Sequence, residues 1–203
     1  MTTETQPLEH NETSTPAGIA RWEGHAFGAI VLAAFLLYGI GSASSDEPIG
    51  LALVAINSIA VAAVGLIGFR LLRSSQPKVG FGYLAARIAE GILLIGGIVL
   101  IEFVEAPDAG DAMYLLGMIA LGVGSVPFWR ALGREGWVSE HLAMWGMVGY
   151  AALAAGAILE LASGRDVAIV FAIPGGLFEL AIGVLLLLRG FNEQGAGLSP
   201  QRA

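Results

Sequence analysis

GFGYLAARIAEGILLIGGIVLIEFV, residues 80–104, is the stretch on which the fold turns. It has about the length of a helix that crosses the hydrocarbon core of a bilayer, yet its interior holds Arg87 and Glu90, close to one helical turn apart. Charges at that depth are costly and need a partner or a purpose. A third such charge, Glu179, sits in another apolar run near the end of the chain.

The rest of the chain has the same character. Of its 203 residues 56% are apolar and 13% charged, and the mean hydropathy is +0.74, well outside the average for soluble domains. Six bilayer-length windows fit along it: His25 to Ser44, Ile49 to Phe69, Gly80 to Val104, Asp111 to Leu132, Glu140 to Ala162 and Val167 to Leu188. The apolar runs are continuous, whereas barrel strands alternate polar and apolar positions. The expected fold is therefore all-α, a polytopic bundle of six transmembrane helices over residues 25–192. It leaves no room for a soluble domain of ordinary size. Residues 1–24, rich in Thr and Glu, read as a disordered polar tail, and residues 193–203 as a second short tail. The small residues Ser42, Ala43 and Ser44 after the first apolar run resemble a signal-peptide cleavage site. The long, net-negative segment ahead of that run argues for a retained first helix instead.

Threading six helices puts Arg21, Arg70, Arg73, Lys78, Arg130, Arg134, Arg189 and Arg202 on one side of the membrane. Only Arg165 falls on the other side, among Asp46, Glu47, Glu105, Asp108, Asp111 and Asp166. Basic residues collect in cytoplasmic loops, so both termini are expected in the cytoplasm.

Several chemistries are disfavoured by composition. The chain has no cysteine, which removes disulfides, thiolate metal sites and cysteine nucleophiles. A net charge of -7 makes nucleic acid a poor partner. With three histidines, haem ligation by His25 and His141 is disfavoured, and no catalytic residue, metal or cofactor is expected. Ser139, Glu140 and His141 are adjacent in sequence, unlike a triad whose members converge from separate elements; Ser139 reads as a helix N-cap. Glu102 and Glu160 lie near helix ends, where a carboxylate reaches water. Trp22, Trp129, Trp137 and Trp145 lie near the basic ends of the helices, as an interfacial aromatic belt requires. The four-residue spacings Gly24/Gly28, Ala152/Gly156 and Ala172/Gly176 read as close helix packing within one chain rather than as a dimer seam.

The remaining polar groups form a candidate cluster of Arg87, Glu90, Glu179 and Asn57. At about 1.5 Å of rise per residue, Arg87, Glu90 and Glu179 occupy one slab of the membrane. If the third and sixth helices meet, Arg87 can bridge Glu179, or it can pair with Glu90 on its own helix. One guanidinium against two carboxylates leaves one carboxylate to be protonated or to hold a cation. Pro174, Gly175 and Gly176, just before Glu179, form a candidate helix break of the sort that frees backbone carbonyls at ion sites, or a kink that fits α-helical neighbours together.

Across the last 90 or so residues the chain resembles a known family. Met113-Tyr114-Leu115-Leu116-Gly117, Pro127-Phe128-Trp129-Arg130, Trp145-Gly146, Ala172-Ile173-Pro174, Phe178-Glu179-Leu180 and Leu188-Arg189-Gly190-Phe191-Asn192 look like the bacterial and archaeal membrane family catalogued as domain of unknown function 4386. Ala17-Gly18 and the Arg87/Glu90 pair agree more loosely. Gly133-Arg134-Glu135-Gly136-Trp137-Val138 departs from that family's basic-aromatic-Pro turn. The resemblance implies six helices in the plasma membrane of a prokaryote and transfers no activity.

The favoured function is a non-catalytic integral membrane protein whose Arg/Glu cluster clamps its helices, or an accessory subunit. The alternative is a small ion- or proton-coupled transporter using Arg87, Glu90 and Glu179. An intramembrane enzyme is the least favoured. The expected partners are bilayer lipid and, within it, a second copy of the chain or a partner subunit.

Overall fold

The computed structural model of the protein describes residues 17–191. Six helices follow one another along the chain: α1 (Ala17–Ala43), α2 (Pro48–Leu72), α3 (Pro77–Val104), α4 (Pro107–Arg134), α5 (Glu140–Ser163) and α6 (Ala168–Arg189). All six are long and apolar enough to cross a membrane, and the described residues contain no strand. In hydrocarbon a helix satisfies its own backbone groups, which is why continuous apolar runs adopt this form.

Most helix ends carry chemistry that stops or starts them. Pro48, Pro77 and Pro107 stand in the first turns of α2, α3 and α4, where a missing N–H leaves no bond unmade. Ser139 caps α5 by accepting from Leu142 N at 3.4 Å, as its sequence position predicts. Glu160 is not merely interfacial: its Oε2 accepts from Val167 N at 2.9 Å and Ala168 N at 2.7 Å, closing the loop onto the start of α6.

The boundaries differ from expectation chiefly at α1, which begins at Ala17 instead of residue 25. Its polar first turns are held by neighbours. Glu23 pairs with Arg70 of α2 at 2.9 Å, and Gly24 lies against the backbone of Gly190 and Phe191 just past α6. The expected tail over residues 1–16 and the C-terminal tail from residue 193 lie outside the described residues.

The helices form a closed ring. Each packs on its neighbours in sequence, and α1 closes on α6. In this order α1 faces α4, and α3 faces α6, across the centre. Large apolar side chains such as Ile59, Phe81, Ile169 and Leu188 point outward, while Asn57, Arg87, Glu90 and Ser125 are buried. An apolar exterior around an apolar core that also holds buried charge matches a lipid solvent.

Glycines set the close approaches. A Cβ at Gly65 would lie 2.8 Å from Cβ of Arg87, and one at Gly146 would lie 2.7 Å from the ring of Phe178. Gly28 and Gly156 likewise fit against α6 within the same chain, as the four-residue spacings predict.

Two tryptophans are not belt residues. Trp22 and Trp145 are exposed, but Trp129 and Trp137 are buried. Phe27, Tyr83, Phe128, Trp129, Phe178 and Phe191 form a contiguous aromatic layer near the basic end of the ring, with Tyr83 and Phe128 stacked at 3.7 Å between centroids. Trp129 fills the layer's centre because α4 turns that face inward.

Candidate functional site

Immediately beyond the aromatic layer lies Arg87, about 15 Å along α3 from its start at Pro77. Glu179 lies about 15 Å from the end of α6 at Arg189, and Tyr150 a similar distance into α5. Three helices of alternating direction thus bring these groups to one level.

The guanidinium is almost fully used. Nε donates to Tyr83 Oη at 3.1 Å and Nη1 to Glu90 Oε2 at 3.0 Å. Nη2 donates to Tyr150 Oη and to Glu179 Oε1, both at 3.3 Å. Tyr150 in turn donates its hydroxyl proton to Glu179 Oε1. The guanidinium carbon also lies 5.4 Å from the centroid of the Tyr83 ring, within the range of a cation–π contact. Tyr83, Arg87 and Glu90 sit on one face of α3 because spacings of four and three residues return to the same side of a helix. Bonds from ionised groups in a medium of low dielectric are the strong ones.

Both alternatives raised by the sequence are realised together: Arg87 pairs with Glu90 on its own helix and with Glu179 on α6. The bridge does not need α3 and α6 to pack side by side. They face each other across the ring, and the long side chains meet in its middle.

Asn57 does not join them. It is buried on α2, outside the hydrogen-bond set that Arg87 organises. Nor do Pro174, Gly175 and Gly176 break their helix, since α6 runs unbroken from Ala168 to Arg189. Pro174 O accepts from Trp145 Nε1 at 3.2 Å, and a Cβ on Gly149 would lie 2.9 Å from Cα of Gly175. Pro174 and Gly175 allow α5 and α6 to touch, while Gly176 faces Phe35 of α1.

Tyrosines are the part of the site that sequence reasoning missed. The chain has four, and all face inward. Tyr83 and Tyr150 belong to the cluster; Tyr38 of α1 and Tyr114 of α4 stack across the ring, 6.2 Å between centroids and 12° between planes. Between the two levels is a cavity of about 190 Å³. Arg87, Tyr150 and Glu179 line its polar floor, and Tyr38 and Tyr114 its opposite end. Both bonds to Glu179 fall on Oε1; its Oε2 accepts none among the described residues. The Glu179 side chain retains 17% exposure.

Among the described residues no group of three or more His, Asp or Glu side chains has the arrangement of a metal site. His25 Nδ1 lies 2.8 Å from Leu187 O. Glu102 accepts from Ser45 at 2.7 Å near the acidic-loop end.

These features define a class: an integral membrane protein of six helices with a charged, tyrosine-bonded cluster buried at its centre. The model of the family described as Domain of unknown function (DUF4386) matches residues 101–190, from the last residues of α3 through α6, and bears out the resemblance read from the sequence over that stretch. The matched segment includes Tyr114, Tyr150 and Glu179 but not Arg87 or Glu90. No curated protein and no solved structure matches the chain.

Proposed function

We propose that the chain is a non-catalytic, multi-pass protein of a prokaryotic plasma membrane, both termini in the cytoplasm, whose Arg87 cluster clamps the ring shut across its diameter. The observation that supports this most is the engagement of Arg87 with four side chains on α3, α5 and α6 at once. Removing one member of such a buried set strands the others, at a cost of roughly 3–5 kcal/mol. Arg87→Ala is accordingly expected to lower expression and to drop the melting temperature of the detergent-purified protein by about 10 °C. The double variant Arg87→Ala/Glu179→Gln should recover part of that loss, since it removes a stranded charge. Additive losses in the two variants would count against the clamp.

A second reading, a small cation-coupled carrier, is favoured by one observation: the clamp needs no cavity, and one is present with Glu179 in its wall. On this reading the formal charge of -1 left by one Arg and two Glu is balanced by a ligand. The thermal stability of the wild type should then rise with a cation, and that response should vanish in Glu179→Gln.

A further inference from the structure

We propose that the cavity between Glu179 and the Tyr38–Tyr114 stack binds a small lipophilic ammonium ion, its charged head on Glu179 and its apolar body among the aromatic and aliphatic walls. The inference deepens the carrier reading and rests on it for transport, though not for binding.

Three features of the cavity select such a ligand. The first is charge. Glu179 presents Oε2, which takes none of the cluster's bonds, and the cluster as a whole carries one more carboxylate than guanidinium. A cation is attracted there and an anion repelled. The second is the walls. Beyond the polar floor, where the Arg87 guanidinium is already held by four partners, the lining is Tyr38, Tyr114, Phe35 and Met118 with aliphatic neighbours. Aromatic faces attract ammonium groups, whereas a hydrated inorganic ion would have to exchange its water for this mostly apolar surface. The third is size. An apolar cavity of about 150 Å³ holds a benzene ring, so about 190 Å³ fits a body of one ring with an aminomethyl group.

The seam between α1 and α6 offers a side entrance. Phe35 lines the cavity yet is 37% exposed on the outside of the bundle. Opposite it α6 carries Gly176, where an added Cβ would meet only the Phe35 ring, at 4.0 Å. A lipophilic amine dissolved in the bilayer can pass this point by rotation of one side chain, while the basic end of the ring is closed by the aromatic layer.

Gly176 also supplies the discriminating variant. Gly176→Leu puts a side chain into the cavity from a position where an added Cβ meets only the Phe35 ring and none of the Arg87 cluster, and glycine removed from a helix interior favours folding. The experiment is thermal unfolding of the full chain in detergent with benzylammonium, benzyl alcohol and benzoate. Benzylammonium at about 100-fold over its dissociation constant should raise the wild-type melting temperature by about 5 °C. Benzyl alcohol and benzoate should raise it far less. The benzylammonium shift should disappear in Gly176→Leu, which itself melts no lower than wild type, and affinity should fall at least tenfold in Glu179→Gln. No wild-type shift at millimolar benzylammonium overturns the proposal, as does an equal shift with benzyl alcohol or a shift that survives in Gly176→Leu. Uptake of radiolabelled benzylammonium into proteoliposomes tests the carrier reading separately: binding without uptake leaves the site standing and removes the carrier.

Discussion

Arg87 shows how a single buried cation organises its surroundings. Each of its bonds is to an acceptor that is itself fixed by packing, and the two tyrosine hydroxyls matter for different reasons. Tyr150 accepts from Arg87 and donates to Glu179, so it relays the interaction across two helices. Tyr83 accepts from Nε while its ring is stacked on Phe128. Tyr150→Phe leaves Arg87 and Glu179 each short of a partner and should cost roughly 1.5–3 kcal/mol, read as a lower melting temperature. Tyr83→Phe keeps the stacked ring and loses one bond, so its loss should be smaller. Equal losses would mean that the relay through Tyr150 adds nothing. Tyr150 was visible in the sequence at a mid-span position, where a belt residue would not be placed, whereas Tyr83 stands near the start of α3, where one would. Their role was not visible, because hydroxyl partners on α3 and α5 are joined only by the ring order.

At the scale of the elements, the decisive contacts are made where glycine lets two helices approach. Gly146 faces the Phe178 ring with no space for a methyl group, whereas Gly82 has nothing within 4 Å of an added Cβ. Gly146→Ala should therefore destabilise by roughly 1–3 kcal/mol, and Gly82→Ala should be neutral or stabilise by up to about 1 kcal/mol. Parallel melting curves decide between this pattern and a uniform helix-propensity effect. The six helices themselves were legible in the sequence, since bilayer length and continuous apolarity suffice to find them. The start of α1 was not, because Arg21, Trp22 and Glu23 look like a tail until Glu23 finds Arg70. The continuity of α6 through Pro174 was also hidden. Proline and glycine signal a break locally, but packing against Gly149 and the Trp145 bond to the Pro174 carbonyl hold the helix together. Trp129 is buried because a residue's distance along its helix says nothing of which face it occupies, and Trp137 because the turn between α4 and α5 folds its ring against Phe191.

For the molecule as a whole, the alternation of the helices sends Arg70, Arg73, Lys78, Arg130, Arg134 and Arg189 to one end and Asp46, Glu47, Glu105, Asp108 and Asp166 to the other. The absence of native cysteine makes the orientation directly measurable. Single cysteines replacing Ser45 or Ser163 should react with a membrane-impermeant maleimide on intact cells, and those replacing Ser75 or Gly136 only after lysis; the opposite pattern reverses the proposed topology. The diametric bridge has a consequence for how the protein is made. Glu179 is synthesised 92 residues after Arg87, so α3 enters the bilayer long before its far partner exists. Tyr83 and Glu90, carried on the same helix, escort the arginine through that interval as a locally neutral package. A nascent chain halted before α6 should accordingly insert but stay unlatched, exposing it to the proteases that clear unassembled membrane segments.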